Sequence, residues 1–216
     1  MCLDTKTSII TLVIGTLLNI WNITHYNNTT ITVVSILWQW ILLMQVFEAF
    51  AWQNQPTTSG ECNNVNKWAT KGAYLANITQ PIVLAIVLFV LKGDSLSQNS
   101  KIIAGSILIG YILWLLYASN KIPEVKCLTP QNKCSNLTYY WWNQFPGNAI
   151  VYLIALIGLI GVMIKPLNFA LLLLTYIVLT LVISSIFYSC GSPGSMWCLL
   201  VSFGPLLVGP MWEATK

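Results

Sequence analysis

Long uncharged apolar stretches succeed one another along this chain, separated by short polar connections, and their length decides the fold class. A hydrocarbon layer about 30 Å thick needs about 20 helical residues at a rise of about 1.5 Å each. Seven stretches approach that length: Ser8 to Ile23, Ile31 to Trp52, Ala73 to Leu91, Ile102 to Tyr117, Gly147 to Ile164, Leu167 to Tyr188 and Met196 to Trp212. Backbone in lipid must satisfy its own hydrogen bonds, and these runs are too long and too evenly apolar for barrel strands, so each is predicted as a helix. The expected fold is all-α: a single seven-helix transmembrane domain over residues 1–216, N-terminus outside and C-terminus inside. Pro205 and Pro210 fall inside the last run and predict a kinked or broken seventh helix. The first run lacks the basic flank and small-residue cleavage site of a signal peptide and is kept as a span. No internal three-plus-three repeat is visible, and no connection is long enough for a soluble domain.

Composition agrees with the pattern. Of 216 residues, 56% are hydrophobic and 7% charged, with a mean hydropathy of +0.70, whereas a soluble domain is about 25% charged. The ten basic residues are all lysine and the net charge of +4 is spread along the chain, which argues against nucleic acid as a partner. The lipid bilayer is the expected surrounding, and association into a homo-oligomer stays open. A single histidine, His25, excludes any site built on two imidazoles, including intramembrane metallohydrolases of the ceramidase type. No lysine lies within Met196 to Trp212, so no retinal is expected and no other cofactor is indicated. Potassium-filter, nucleophile-elbow and P-loop sequences are absent, and no Cys-x-x-Cys spacing suggests a metal site.

The cysteines predict sidedness. With seven spans, the N-terminus and the second, fourth and sixth connections share one side, and Cys2, Cys62, Cys127, Cys134, Cys190 and Cys198 all fall there. That face is read as oxidising, hence extracellular or lumenal. The simplest bridges are the local pairs Cys127 with Cys134 and Cys190 with Cys198, leaving Cys62 and Cys2 as a third pair or as free thiols; connectivity stays open. The sequon at Asn136 lies in the long fourth connection and is a glycosylation candidate, while those at Asn22, Asn27, Asn28 and Asn77 lie in or beside spans and are read as coincidental. Lysine counts do not favour either orientation. Trp52, Trp68, Trp141, Trp142 and Trp197 are expected at the outer interface, Trp21 and Trp212 at the inner one.

One acid lies clearly inside a span. Glu48 sits about a turn inside Trp52, with Gln45 a turn deeper on the same helix face. An ionisable residue there costs about 2.5 to 3.5 kcal/mol on insertion, which makes it a functional candidate. Gln80 lies at a comparable depth in the third run, and Pro81 beside it frees the carbonyl of Asn77. Asn148 opens the fifth run at the same level. Together these residues suggest an outer polar vestibule; the alternative is interhelical hydrogen-bond glue. Cys2, following Met1, is a weak candidate for an N-terminal nucleophile.

The opening Met1-Cys2, with Ser8 a short way on, and the segment Gln45-x-x-Glu48-Ala49-x-x-Trp52 resemble an uncharacterised family of polytopic membrane proteins of bacteria, algae and large DNA viruses. That family typically begins Met-Cys-Phe-Ser-Ala and carries Gln-x-x-Glu-Gly-x-x-Trp in its second span. Here Leu3, Asp4 and Thr5 depart from the opening, and Ala49 replaces the glycine. The resemblance is specific over the first quarter of the chain and implies that Cys2, Gln45, Glu48 and Trp52 form one functional unit. It implies no particular activity. The leading expectation is a transporter or channel for a small solute or ion that uses Glu48, Gln45, Gln80, Asn77, Asn148 and Trp52. Alternatives are a receptor- or sensor-like bundle that binds a lipid or small apolar ligand, and a membrane enzyme using Cys2.

Overall fold

The computed structural model describes residues 4–56, 62–119, 127–130, 137–141, 147–187 and 193–216, with backbone alone at 193–195. Nine α-helices occur among them: α1 Thr5–Tyr26, α2 Thr29–Gln53, α3 Asn64–Ile78, α4 Gln80–Lys92, α5 Gln98–Ser119, α6 Asn148–Met163, α7 Leu167–Phe187, α8 Pro193–Ser202 and α9 Gly204–Glu213. No strand occurs among the described residues; one isolated bridge joins Pro130 and Leu137.

Local chemistry sets the helix ends. The Asp4 carboxylate accepts the Thr7 N–H at 2.6 Å and caps α1, a bond that holds this exposed acid below its ordinary range. Asn27 ends α1 in the left-handed conformation at φ 41°, and the Asn28 side chain accepts the N–H groups of Thr30 and Ile31 at the start of α2. This two-residue turn makes α1 and α2 antiparallel neighbours.

The distribution of polarity is inverted relative to a soluble protein. On α1 the buried side is Ser8, Thr11, Gly15, Asn19 and Asn22, while Ile10, Val13, Ile14, Leu17 and Ile20 face outward. Leu17 is 62% exposed and Asn19 2%. On α5, Ile102, Ile109, Leu113 and Leu116 are likewise outside. Such an apolar surface suits hydrocarbon, and these helices fit a membrane protein. Four helices, α1, α2, α5 and α7, are long and apolar enough to cross a membrane. The count becomes six if α3 with α4 and α8 with α9 each form one bent span. The fifth apolar run is realised as α6, whose 16 residues reach about 24 Å.

At the centre lies α2, which packs on α1, α3, α4, α8 and α9. Its lower half contributes Ile31, Val34, Leu37, Trp38 and Ile41 to a core completed by Leu84 and Leu88 of α4, Leu156 and Leu159 of α6 and Phe169 and Leu173 of α7. Both bends carry a proline just past the break. Pro205 cannot donate to the Val201 carbonyl, and the Trp38 indole donates to it instead at 2.9 Å. Asn22 donates to the Pro205 carbonyl at 2.8 Å and the Tyr176 hydroxyl to that of Leu200. At the other bend the Thr79 N–H turns back onto the carbonyls of Leu75 and Asn77, and the Tyr111 hydroxyl donates to Ile78 at 2.7 Å. The bends are 51° for α3 with α4 and 46° for α8 with α9. The sequence reading anticipated the second bend. The asparagines Asn22, Asn27, Asn28 and Asn77 of the span-associated sequons all serve as internal donors, acceptors or turn residues.

The approach of Trp38 to the α8–α9 break depends on Gly204, because a methyl group there would overlap the indole ring. Gly204→Ala is expected to destabilise the bundle by about 1 to 3 kcal/mol through overpacking, seen as a fall of several degrees in detergent thermal unfolding. Gly110→Ala on α5, where nothing lies within 4 Å of the added carbon, leaves the midpoint unchanged or slightly raised. Equal effects of the two substitutions would contradict this packing.

Candidate functional site: a buried carboxylate under an aromatic cap

The α2–α3 pair builds the floor of the site. On α3 the residues Asn66, Ala69, Thr70, Ala73, Ala76 and Asn77 recur at helical spacing and are all buried, a small-residue stripe that brings α3 close to α2. Opposite them on α2 lie Met44, Gln45, Glu48 and Ala51, also buried.

Residues 127–130 and 137–141, from the connection between α5 and α6, form the roof. The Leu128 N–H donates to the Asn66 side-chain oxygen at 3.1 Å and to Thr70 Oγ1 at 3.0 Å. The Asn66 amide donates in turn to the carbonyls of Leu128 at 3.2 Å and Asn54 at 3.0 Å. A disulfide between Cys62 and Cys127, with Cα atoms 5.9 Å apart, ties the same segment to the start of α3. The Thr138 N–H then pairs with the Thr129 carbonyl at 3.0 Å, and the returning strand of chain lays Leu137, Tyr139 and Trp141 over α2 and α3.

Glu48 is fully buried, and the Tyr139 hydroxyl donates to its carboxylate. The Tyr139 ring stacks on Trp141 at 4.7 Å. The Trp141 indole donates to the Asn77 side-chain oxygen at 3.3 Å, and the Asn77 amide reaches Met44 Sδ at 3.2 Å and Cys198 Sγ at 3.8 Å. Gln80 donates to Met44 Sδ at 3.8 Å and accepts the Tyr152 hydroxyl. Below this layer a cavity of about 10 Å³, enough for about one water, is lined by Gln80, Tyr152, Trp197, Cys198 and Val201 among apolar neighbours.

The expected residues therefore fall into two groups. Glu48, Gln45, Asn77 and Gln80 share one buried layer, none more than 3% exposed. Asn148 stands apart: it donates to the Trp141 carbonyl at 3.0 Å and accepts the Trp114 indole at 3.1 Å, and so positions the roof. Trp52 packs at the edge of the same cluster, partly buried. In place of a vestibule, the described residues form a closed layer with an aromatic lid. Tyr139 carries no helical or motif signal, and only its place between Trp141 and the disulfide-forming Cys127 hinted at it. Trp141 and Trp197 are core residues here, 4% and 5% exposed, and not interfacial anchors.

The cysteine pairing also needs correction. Cys127 bonds to Cys62, 65 residues away, and not to its neighbour Cys134, because the Asn66 clamp carries Cys127 to the start of α3. Cys198 is a free thiol buried within the bundle, its Sγ 3.9 Å from Met44 Sδ. Cys2, Cys134, Cys190 and Asn136 lie outside the described residues.

No protein-family model, curated protein or solved structure matches this chain.

Peptide mapping without reduction is expected to recover a Cys62–Cys127 cross-linked peptide; a Cys127–Cys134 link would overturn the roof described here. Tyr139→Phe removes the donor to a buried carboxylate and is expected to lower stability by about 1 to 3 kcal/mol, read as a reduced unfolding midpoint in detergent. A midpoint equal to that of the unaltered protein would show that the hydroxyl does not hold Glu48.

Proposed function

We propose that this chain is a multi-pass membrane protein that moves protons or a small cation across the bilayer, with Glu48 as the group that binds the moving charge. The observation that supports this most is the meeting of two broken helices at one central cavity. Gln80, the first residue of α4, and Trp197, Cys198 and Val201 of α8 line it together. Broken spans that meet in mid-bundle are the usual construction of a transport site, since the interrupted turns offer polar groups to a ligand inside hydrocarbon. A buried carboxylate on α2, the helix that also walls the cavity through Leu37 and Ile41, suits a cation or proton. In this reading α6 is a seventh, thin crossing accommodated by local bilayer thinning, and the disulfide-bearing end faces the extracellular or lumenal side. The closed lid corresponds to an occluded state. Opening requires Tyr139 and Trp141 to withdraw from Glu48 and Asn77.

The test uses purified protein in liposomes loaded with a pH-sensitive or a potassium-sensitive dye. Protein-containing vesicles are expected to dissipate an imposed gradient faster than empty ones, and Glu48→Gln to return the rate to that of empty vesicles. Equal rates for vesicles with and without protein would reject the reading.

A second reading, a bundle that binds a lipid or small apolar ligand, draws on a different feature. A groove of about 410 Å³ runs between α1 and the α8–α9 break, walled by Ile10, Ile14, Leu18, Leu199, Phe203 and Leu206, and its volume lies within the range of ordinary ligand sites. Leu206→Trp fills it. Silent flux assays together with a co-purified lipid that this substitution displaces would favour the second reading over the first.

A further inference from the structure

A thiol and a thioether face each other inside the bundle. Cys198 Sγ on α8 and Met44 Sδ on α2 are 3.9 Å apart, and their residues are 4% and 0% exposed. The Asn77 amide reaches both, at 3.8 and 3.2 Å, and Gln80 reaches Met44 at 3.8 Å. Cys198 also walls the small cavity together with Gln80, so space for about one water adjoins its sulfur.

We propose that Cys198 and Met44 form a binding site for a soft monovalent metal ion, copper(I) in the cell. Thiolate and thioether ligands select this class of ion. Zinc sites are built from four ligands and calcium sites from six to eight oxygens, whereas no group of three or more His, Cys, Asp or Glu side chains assembles among the described residues. Charge separates the alternatives further. Binding displaces the thiol proton to the aqueous phase and forms one metal–thiolate bond and one metal–thioether bond. A monovalent ion on one thiolate is then neutral, with the proton released, and no oxidant or reductant is consumed. The pair itself offers a single thiolate, which balances a monovalent ion. The Asn77 amide, within reach of both sulfurs, is placed to hydrogen-bond the thiolate form. The site also joins both halves of the transport reading, one ligand from α2 and one from the broken span, but its occupancy does not depend on flux.

The test titrates purified protein in detergent with silver nitrate in chloride-free buffer, silver(I) being the redox-inert probe for this ion class, and counts bound metal by native mass spectrometry. The unaltered protein is expected to hold one more silver ion than Cys198→Ala. Met44→Leu, which keeps volume and every thiol, is expected to weaken that same ion by about tenfold or more. Unfolding midpoints confirm that both variants are folded, and a hundredfold excess of zinc is expected not to displace the silver. Retention of the ion at full affinity in Met44→Leu, or its loss to zinc, would overturn the proposal. Neither result bears on the proton and potassium assays, so the two readings fail separately.

Discussion

In hydrocarbon a backbone carbonyl without a donor has no water to turn to, and this constraint organises the molecule. Two bent helix pairs carry a proline just past the break, and each proline removes the helix donor for the carbonyl four residues before it. At the bends, donors come from distant helices: Trp38 serves the Val201 carbonyl that Pro205 cannot, and Asn22 to Pro205, Tyr176 to Leu200 and Tyr111 to Ile78 add further bonds. These donors sit on α2, α1, α7 and α5, so the breaks become the points at which distant helices are locked together. Gly204 permits the close approach of Trp38 to the turn that follows α8.

The same rule explains the uneven distribution of polarity along the bundle. At the end bearing the disulfide, polar side chains form a continuous layer from Glu48 through Tyr139, Trp141, Asn77 and Gln80 to Tyr152. Beneath it the contacts among Leu37, Leu84, Leu88, Leu156 and Leu159 are apolar. Polarity returns at the far end, where Lys92 donates to Thr30 at 2.7 Å and Thr30 to the Lys165 carbonyl at 3.2 Å. Under the proposed function, passage requires the apolar layer to part as well as the aromatic lid.

Much of this was legible in the chain. The all-α class followed from the length of the apolar runs, the bend in the last span from Pro205, and the candidacy of Glu48 from the cost of an acid at that depth. Gln45, Glu48, Asn77 and Gln80 were expected at one level, and one buried layer holds them. The roof was not legible. Leu128, Tyr139 and Trp141 lie in a connection without periodicity, and what buries them is the hydrogen bonding of Asn66 to a segment 62 residues away. The preference for near neighbours misassigned Cys127 for the same reason, and it treated Cys198 as a loop thiol when its helix turns it inward.

Sequence by itself determined the solvent and the elements: hydropathy is summed residue by residue over local windows, so runs of Ile, Leu and Val declare lipid and helix without reference to the rest of the chain. Tertiary structure alone decided the partners. Which indole meets the Val201 carbonyl, which hydroxyl meets Glu48 and which sulfur faces Met44 depend on how far apart the helices stand and how they are rotated. Those quantities are set by many weak contacts between segments remote in sequence, and no local window contains them.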